Sequence, residues 1–356
     1  MIEWIGIGAA VLCGLMTAAT ALALIDTDKW WIRVLDFPRL QFAAVLLGAL
    51  VVTAATRPGG AVALAVLAAG GVALAWQVRV ILPYTPLWKR QMRAAPGAPD
   101  AERVRLLIAN VLQDNRDSAR LLRRIEETDP DLILLTEIDG RWTRELARLA
   151  ETHPHTILEP RPNTYGIGLW SRLRLAGGEV RHLLYDDIPS IRTQVALDSG
   201  ATFTLWAVHP SPPRPGDDTA ERDAELLVVA KEAAATPGPA IVTGDLNDVA
   251  WSETTSLFQR ISGLLDPRVG RGFYATFNAN WPLLRWPLDH LFASRDWTLG
   301  EFRRLGPIGS DHFPILVELH HHREAAAGQE RQHEKPGDAE KAEEHIADGR
   351  EAASGA

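Results

Sequence analysis

Three long apolar stretches dominate the first 82 residues of this 356-residue chain. They cover residues 5–25, 40–56 and 61–82, and their single charged residue, Arg79, lies near the end of the third. A helix of about 20 apolar residues crosses the hydrocarbon core of a bilayer, and lipid leaves no other way to satisfy the backbone of a single segment. A bundle of three buried helices in water is the alternative, but none of the stretches has a polar face. The sequence therefore predicts three transmembrane helices.

Basic residues flank the first and the third predicted span. With three spans, the loop containing Lys29, Arg33 and Arg39 lies on the same side of the membrane as residues 89–93, which include a lysine and two arginines. The positive-inside rule then places the region after the third span in the cytoplasm.

The net charge changes sign along the chain. Residues 1–99 contain 8 basic and 4 acidic side chains, residues 100–319 contain 24 and 32, and residues 320–356 contain 5 and 9. Proteins that clamp long nucleic acids usually carry a basic stripe, so this balance disfavours bulk nucleic-acid binding. Cys13 is the single cysteine, which excludes an intrachain disulfide.

Composition also suggests the domain boundaries. Residues 83–102 are rich in proline and lack a periodic pattern, which is typical of a linker. Residues 103–319 then form one water-soluble domain. The last segment, 320–356, has Ile346 as its one β-branched residue and no aromatic residue, so it is predicted to be a disordered, charged tail.

Six apolar runs in the soluble domain each end in polar side chains. In residues 239–247 a buried-type strand ends at Asp245, and Asn247 lies two positions on, so both face the same way in extended chain. An Asx turn closing a strand is the alternative for that stretch alone. The other runs end at Asn110, Glu137, His209, Asp289 with His290, and Ser310 with Asp311 and His312.

Taken in chain order, this set resembles the endonuclease/exonuclease/phosphatase superfamily, the metal-dependent phosphoesterases built like DNase I, over about residues 103–319. The resemblance implies an α/β (α+β) fold, a four-layer α/β sandwich of two mostly antiparallel sheets flanked by helices. Here a three-helix transmembrane region precedes it.

The chain is also similar to membrane-anchored bacterial members, including teicoplanin-resistance membrane proteins, whose catalytic domain faces outward. Against the charge rule, this favours a multi-pass protein of the cell (inner) membrane with an extracytoplasmic catalytic domain.

The resemblance implies a divalent metal site. Glu137 and Asp311 would hold the ion, with Asn110 nearby, and carboxylate oxygens are the ligands that Mg²⁺ or Mn²⁺ prefers. Mg²⁺ is the expected cofactor and Mn²⁺ the alternative. The superfamily's usual second polar residue after this Asn is absent, since Val111, Leu112 and Gln113 follow it, so this part of the site departs from the pattern.

The resemblance to the superfamily also implies roles for the remaining polar residues. Asp245 would orient or deprotonate the attacking water, and Asn247 would donate to a non-bridging phosphate oxygen. His312, kept charged by Asp289, would bind the phosphate. His209 would contact the phosphate or protonate the leaving group, since a histidine pKa suits that transfer.

Arg192 is a further candidate for substrate binding. A solvated strand arginine is the alternative for it.

These features together predict an enzyme, a membrane-anchored phosphoric ester hydrolase acting on a phosphorylated lipid or a small diphosphate. The lipid bilayer is its expected partner, and nucleic acid is a weaker one. A metal-dependent nuclease and a catalytically inactive membrane-binding module are the alternatives. The aromatic loop at residues 272–286 fits either base stacking or contact with lipid headgroups, and the predicted spans favour the second. The oligomeric state stays open.

Overall fold

The computed structural model describes residues 1–56, 60–95, 102–212 and 215–354. The chain divides into two compact units. The first comprises Met1–Trp88 with the short segment Pro213–Thr219, and the second comprises Lys89–Pro212 with Ala220–Ala356.

The first unit is helical. Its helices are α1 (Ile2–Leu22), α2 (Trp30–Arg33), α3 (Arg39–Thr56) and α4 (Ala61–Ile81). Helices α1, α3 and α4 are long and apolar enough to cross a membrane, which confirms the prediction of three apolar helices. They approach closely through small residues, with Gly70 against Cys13, and the buried Gln77 Nε2 donates to Thr20 Oγ1 at 2.8 Å. Small residues and isolated polar pairs are how helices associate in lipid.

The second unit contains two β-sheets and five α-helices among its described residues. In chain order its elements are β1 (Arg103–Asn110), α5 (Ser118–Thr128), β2 (Leu132–Thr136), α6 (Gly140–Glu145), β3 (His155–Glu159), β4 (Ile167–Ser171), β5 (Arg174–His182), β6 (Pro189–Ala196), β7 (Thr202–Ala207), α7 (Ala220–Ala235), β8 (Ala240–Asp245), α8 (Glu253–Ser262), β9 (Asp289–Ala293), β10 (Trp297–Arg304), β11 (Ile315–His321) and α9 (Asp338–Ser354).

The two sheets stack face to face. One has the strand order β10-β11-β1-β2-β4-β3 and the other β5-β6-β7-β8-β9. Each contains one parallel pair, β1 with β2 and β7 with β8, and the other pairs are antiparallel. Alternate side chains such as Leu106, Leu134, Leu205 and Ile241 fill the space between the sheets. Burying this apolar area provides the main driving force for folding.

Helices cover the two outer faces. The side chains of α5 and α6 pack on the outer face of the first sheet, those of α7 and α8 pack on the second, and α9 packs on α7. The layers are therefore helix, sheet, sheet and helix, and the predicted DNase I-like sandwich is confirmed.

Topology brings the polar strand ends to one edge. Because β1 and β2 are parallel, both finish at the same side, and antiparallel β11 begins there, with Ile315 opposite Ile108. In the other sheet β7 and β8 finish together, and β9 begins with Asp289 opposite Asp245. The register of both sheets thus brings the candidate residues together.

The segment before β1 differs in part from the predicted linker. Residues 89–95 belong to the second unit, where Met92 is fully buried in the core and the Arg93 amide donates to Gln329 Oε1 at 2.6 Å. Residues 96–101 of that linker lie outside the described residues.

The prediction of a disordered tail is wrong over most of its length. Strand β11 continues to His321, and α9 packs on α7 with Ala342 and Ile346 buried. Arg260 of α8 forms a buried, two-pronged ion pair with Asp338 at 2.7 and 3.1 Å. Ala342 and Ile346 lie on one face of this helix, and a face of that kind can dock even when the segment as a whole is polar.

Candidate active site

Asn110 connects the two sheets at their shared edge. It ends β1, is 1% exposed, and donates from Nδ2 to Glu137 Oε1 at 2.8 Å and to Asp245 Oδ2 at 3.0 Å. Its Oδ1 accepts the amide of Leu112 at 2.9 Å, which fixes the orientation of the carboxamide. Two carboxylates from different sheets therefore share one amide donor.

Glu137 follows the end of β2 in a left-handed backbone conformation, with φ at 62°. The amide of Gln113 donates to Glu137 Oε2 at 3.1 Å. Burial raises the pKa of Glu137; the hydrogen bonds from Asn110 and Gln113 oppose that rise, and the negative charge of Asp311 adds to it. The backbone at position 113 thus supplies a donor in the region where the sequence lacks a second polar side chain.

Asp245 lies at the centre of the cluster. It is the last residue of β8, is 1% exposed, and its Oδ1 accepts the amide of Asn247 at 3.0 Å. Gly244 has φ at 144°, and a Cβ there would collide with the carbonyl oxygen of Val208, so glycine alone fits before this aspartate. Burial raises the pKa of Asp245 and thereby makes its carboxylate a better proton acceptor.

Asn247 turns back toward the loop that follows His209. Its Nδ2 donates to the carbonyl of Pro210 at 2.9 Å, and Arg222 donates to its backbone oxygen at 3.0 Å. An amide nitrogen carries two hydrogens, so one remains for another acceptor.

His312 lies between two aspartates. Its Nδ1 donates to Asp289 Oδ2 at 2.8 Å, and its Nε2 lies 3.7 Å from Asp245 Oδ2. Burial by itself would lower the pKa of His312, but the two carboxylates outweigh that effect and raise it to about 10. His312 is therefore a cation at neutral pH.

His209 is a buried, neutral histidine beside the same carboxylate. Its Nε2 lies 3.9 Å from Asp245 Oδ2, and its ring centroid is 5.9 Å from that of Tyr165. Burial lowers the pKa of His209, and its Nδ1 has no hydrogen-bond partner among the described residues. A neutral imidazole with one free nitrogen is suited to hydrogen bonding with a ligand.

The donor set fits a hard divalent cation. Ligand atoms of Asp245, Asp289 and His312 all lie within 4.8 Å of one another, so this group could hold a metal ion once His312 has lost a proton. The carboxylates of Glu137 and Asp311 interact electrostatically beside it, and Asp289 Oδ1 is buried with no hydrogen-bond partner in the described chain. Oxygen donors of this kind suit Mg²⁺ and Mn²⁺.

A buried network behind Asp289 could not be found from the sequence. Arg268 and Asp266 are both fully buried and form an ion pair at 2.7 Å. Arg268 also donates to His290 Nδ1 at 2.7 Å, so His290 Nε2 carries the proton that it donates to Asp248 O at 2.8 Å. His290, which had no predicted role, is therefore a structural residue that supports the start of β9.

The structure does not bring Arg192 into the site. Its guanidinium pairs with Glu179 at 3.4 Å and lies over the ring of Trp206 on the outer side of its sheet. Strand alternation directs residue 192 away from the inner face, since its neighbours Ile191 and Thr193 are buried. The solvated-arginine alternative describes this residue better than phosphate binding does.

Comparison with known proteins agrees with this geometry. Residues 107–312 match the model of a family described as the Endonuclease/Exonuclease/phosphatase family. No curated protein matches the chain.

Several solved structures share the fold. D. rerio TDP2 complexed with a single strand DNA product is 18% identical with a TM-score of 0.52, covering 61% of this chain and 98% of that one. The human Nocturnin catalytic domain with bound sulfate anion is 17% identical with a TM-score of 0.52, covering 62% and 95%. An endonuclease/exonuclease/phosphatase from Beutenbergia cavernae is 17% identical with a TM-score of 0.50, covering 62% and 72%.

The resemblance noted in the sequence is thus confirmed at the level of the superfamily. Members of this family are usually hydrolases of phosphoester bonds, and they typically use divalent metals. Because the family model spans more than half of the 356 residues and includes the residues of the cluster, this chain belongs to the Endonuclease/Exonuclease/phosphatase family.

Proposed function

We propose that the chain is a membrane-anchored, divalent-metal-dependent phosphoesterase that hydrolyses a phosphorylated lipid or a small diphosphate. The observation that carries the proposal is the cluster around Asp245, where Asn110, His209 and His312 converge on one carboxylate. The three membrane-length helices of the same chain support a substrate in or near a bilayer.

Glu137 and Asp311 are the residues we assign to the metal ion, with Asn110 holding Glu137 in place. His312 is protonated and bonded to Asp289, so it has no lone pair free for a cation, and this argues against the Asp245, Asp289 and His312 group as the main ligand set. When bound, a divalent ion neutralises charge on the phosphate and stabilises the leaving oxygen. We expect Mg²⁺, with Mn²⁺ as a functional substitute.

Asp245 is the residue we assign to the attacking water. Its carboxylate is buried and has a raised pKa, and the Asn247 amide holds one of its oxygens while Asn110 holds the other. A carboxylate fixed in this way can align a water and accept its proton. The remaining hydrogen of Asn247 Nδ2 is available to a non-bridging phosphate oxygen.

The two histidines have different charges and therefore different roles. His312 is a fixed cation that stabilises the negative charge of the phosphate and of the transition state. The lowered pKa of His209 makes it a poor proton donor at neutral pH, which favours hydrogen bonding to the phosphate over protonation of the leaving group.

The acidic balance of the catalytic region favours a small phosphate head over a polynucleotide. Residues 100–319 have 32 acidic against 24 basic side chains, and long nucleic acids repel such a surface. TDP2, which shares the fold, is known in complex with DNA, so nuclease activity is the outcome that the experiment must separate.

Purified full-length protein in detergent provides the test. We expect Mg²⁺-dependent release of phosphate from a polyprenyl diphosphate, loss of that activity on chelation, and its recovery on adding Mg²⁺ or Mn²⁺. Asp245→Ala and His312→Ala should each lower kcat by about 100-fold or more, because each removes a group that acts at the reacting phosphate.

Arg192→Gln is the matched control, since this arginine lies outside the cluster and should retain wild-type turnover. Comparable or greater efficiency on a plasmid or an oligonucleotide would establish a nuclease instead. Absence of both divalent-ion binding and turnover would revive the binding-module alternative.

A further inference from the structure

In the described part of the second unit, the exposed large apolar side chains are concentrated in one patch. Among its described residues, the exposed large hydrophobic side chains are Trp281, Leu283 and Leu284, at 64%, 85% and 46%. They lie within four consecutive positions, together with Pro282. Isolated exposed hydrophobic residues are ordinary, but their concentration at one point marks an interaction surface.

This tip is an ordered turn joined to the catalytic segment. The amide of Leu284 donates to Trp281 O at 3.1 Å, and that of Asn278 donates to Leu284 O at 3.2 Å. At the base of the loop the amide of Ala279 donates to Asp311 O at 2.7 Å. The tip therefore has a fixed position relative to Asp311 and the neighbouring His312.

Two arginines lie at the base of the same loop. The guanidinium groups of Arg285 and Arg304 lie 4.9 and 4.5 Å from the ring centroid of Phe313, the residue after His312. Each donates to loop carbonyls, including Arg285 Nε to Asn278 O at 3.1 Å and Arg304 to Ala275 O at 2.8 Å. Within the described chain neither forms an ion pair with an acidic side chain. Burial, and then the positive charge of Arg285, lower the pKa of Arg304, which shows that the two cations are near each other.

The patch matches the surface of an anionic bilayer. It combines an exposed tryptophan and two exposed leucines with two cations that form no ion pair with any described acidic residue. Tryptophan partitions to the headgroup level, leucine side chains enter the acyl boundary, and arginines reach lipid phosphates from an apolar base. A nucleic acid would use the tryptophan for stacking, but it gains nothing from Pro282, Leu283 and Leu284, which have no aromatic face.

We propose that the tip Trp281–Leu284 inserts into an anionic lipid surface while Arg285 and Arg304 bind lipid phosphates beside the active site. The inference rests on the proposed function only for its bilayer setting, and it adds a second lipid contact to that of the apolar helices. A phosphorylated headgroup then reaches Asp245 and His312 without leaving the membrane surface.

The test measures lipid contact without turnover. Full-length protein carrying Cys13→Ser and Leu283→Cys is labelled with an environment-sensitive fluorophore and reconstituted into phosphatidylcholine vesicles with or without phosphatidylglycerol. Ser199→Cys, exposed in a turn of the same unit, is the matched label site. We expect nitroxide-labelled lipid to quench the label at position 283 at least about threefold more than the label at position 199 in anionic vesicles.

Arg285→Gln combined with Arg304→Gln should remove most of the difference between anionic and neutral vesicles, because the lipid phosphates lose their counter-charges. Equal quenching of both labels would overturn the inference. The inference would also be overturned if an oligonucleotide changed the fluorescence of the label at position 283 and vesicles did not. That result would assign the loop to nucleic-acid binding.

A second measurement uses activity. Trp281→Ala combined with Leu283→Ala and Leu284→Ala should lower the ratio of the rate on vesicle-embedded substrate to the rate on a water-soluble phosphoester by about tenfold. Asp198→Ala, an exposed change elsewhere in the unit, should not change this ratio. Quenching without hydrolysis of any lipid phosphate or small diphosphate would leave the inference intact and refute the proposed function. Hydrolysis of a lipid phosphate without quenching would support the proposed function and refute the inference.

Discussion

Asn110 shows how much of this site depends on one uncharged side chain. Its single amide nitrogen bonds to carboxylates from two sheets, 27 and 135 positions away in the chain. Without that donor, the half-buried carboxylate of Glu137 and the buried carboxylate of Asp245 would lose the hydrogen bonds that offset their mutual repulsion. A polar residue at the end of β1 is visible in the sequence, but this bridging role is not.

Glu225 is a buried acid that the site does not use. It lies on α7, is 3% exposed, and its Oε1 has no hydrogen-bond partner among the described residues. Burial raises the pKa of Glu225 to about 8 from an ordinary value of 4.5. The folded state therefore holds the proton more tightly than the unfolded state does.

The sign of the pH effect follows from this difference. Below about pH 4.5 the carboxyl group of Glu225 is mostly neutral in both states, so its ionisation does not change the free energy of unfolding. As the pH rises to about 8, the group ionises in the unfolded state but not in the folded state. This ionisation stabilises the unfolded state, so the free energy of unfolding falls. We expect Glu225→Gln to raise the free energy of unfolding by on the order of a few kcal/mol at pH 9 and to change it little at pH 4. Thermal unfolding of the two proteins across this pH range measures the difference. A constant offset at every pH would contradict the assignment.

At the scale of elements, α9 is where composition misled the prediction. Averaged over 320–356 the segment is polar, yet Asp338, Ala342, Ile346 and Gly349 are all buried. Their spacing of three to four residues places them on one helical face. Gly349 lets that face approach α7 closely, since a Cβ there would meet the carbonyl oxygen of Ala220. An amphipathic helix needs only such a stripe, so average hydrophobicity is the wrong measure for it.

The helix gives a direct prediction. Ile346→Ala should lower the stability of the second unit by about 2–4 kcal/mol, because it removes buried methylene groups and leaves a cavity against α7. It should also speed tryptic cleavage at Lys341. Glu351→Ala, an exposed change on the same helix, is the control and should have little effect on either measurement. Equal protease sensitivity of wild type and Ile346→Ala would indicate that the segment does not dock.

At the scale of the whole molecule, membrane topology follows from the number of spans. If all three apolar helices cross the bilayer, the residues before the first helix and those after the third lie on opposite sides of it. The basic residues after the first and third apolar helices favour a cytoplasmic catalytic region, whereas the expectation of an outward-facing region comes from the sequence resemblance alone. We propose the outward orientation, because the positive-inside rule is a bias and not a physical barrier.

Protease added to intact cells distinguishes the two orientations. We expect the catalytic region to be digested while a cytoplasmic marker protein stays whole. Full protection of the catalytic region, together with digestion after the cells are opened, would refute the outward orientation and place the substrate on the cytoplasmic leaflet.

The sequence by itself determined the apolar helices and the residue types at the strand ends. Both are local properties: an uncharged run has few choices in lipid, and an apolar run that stops at Asp245 or Asn110 places a polar group at a sheet edge whatever the sheet does elsewhere. The family resemblance then supplied the expected sandwich, since the order of those residues is also a property of the sequence.

Only the tertiary structure decided which of these groups meet. Sheet register pairs Asp245 with Asp289 and leaves Arg192 on the outer face, and the packing of β9 buries Arg268 behind the site. Docking of α9 depends likewise on a face of α7 more than one hundred residues earlier in the chain. Such contacts join residues whose local sequences carry no information about each other, so their geometry arises from the packing of the whole domain.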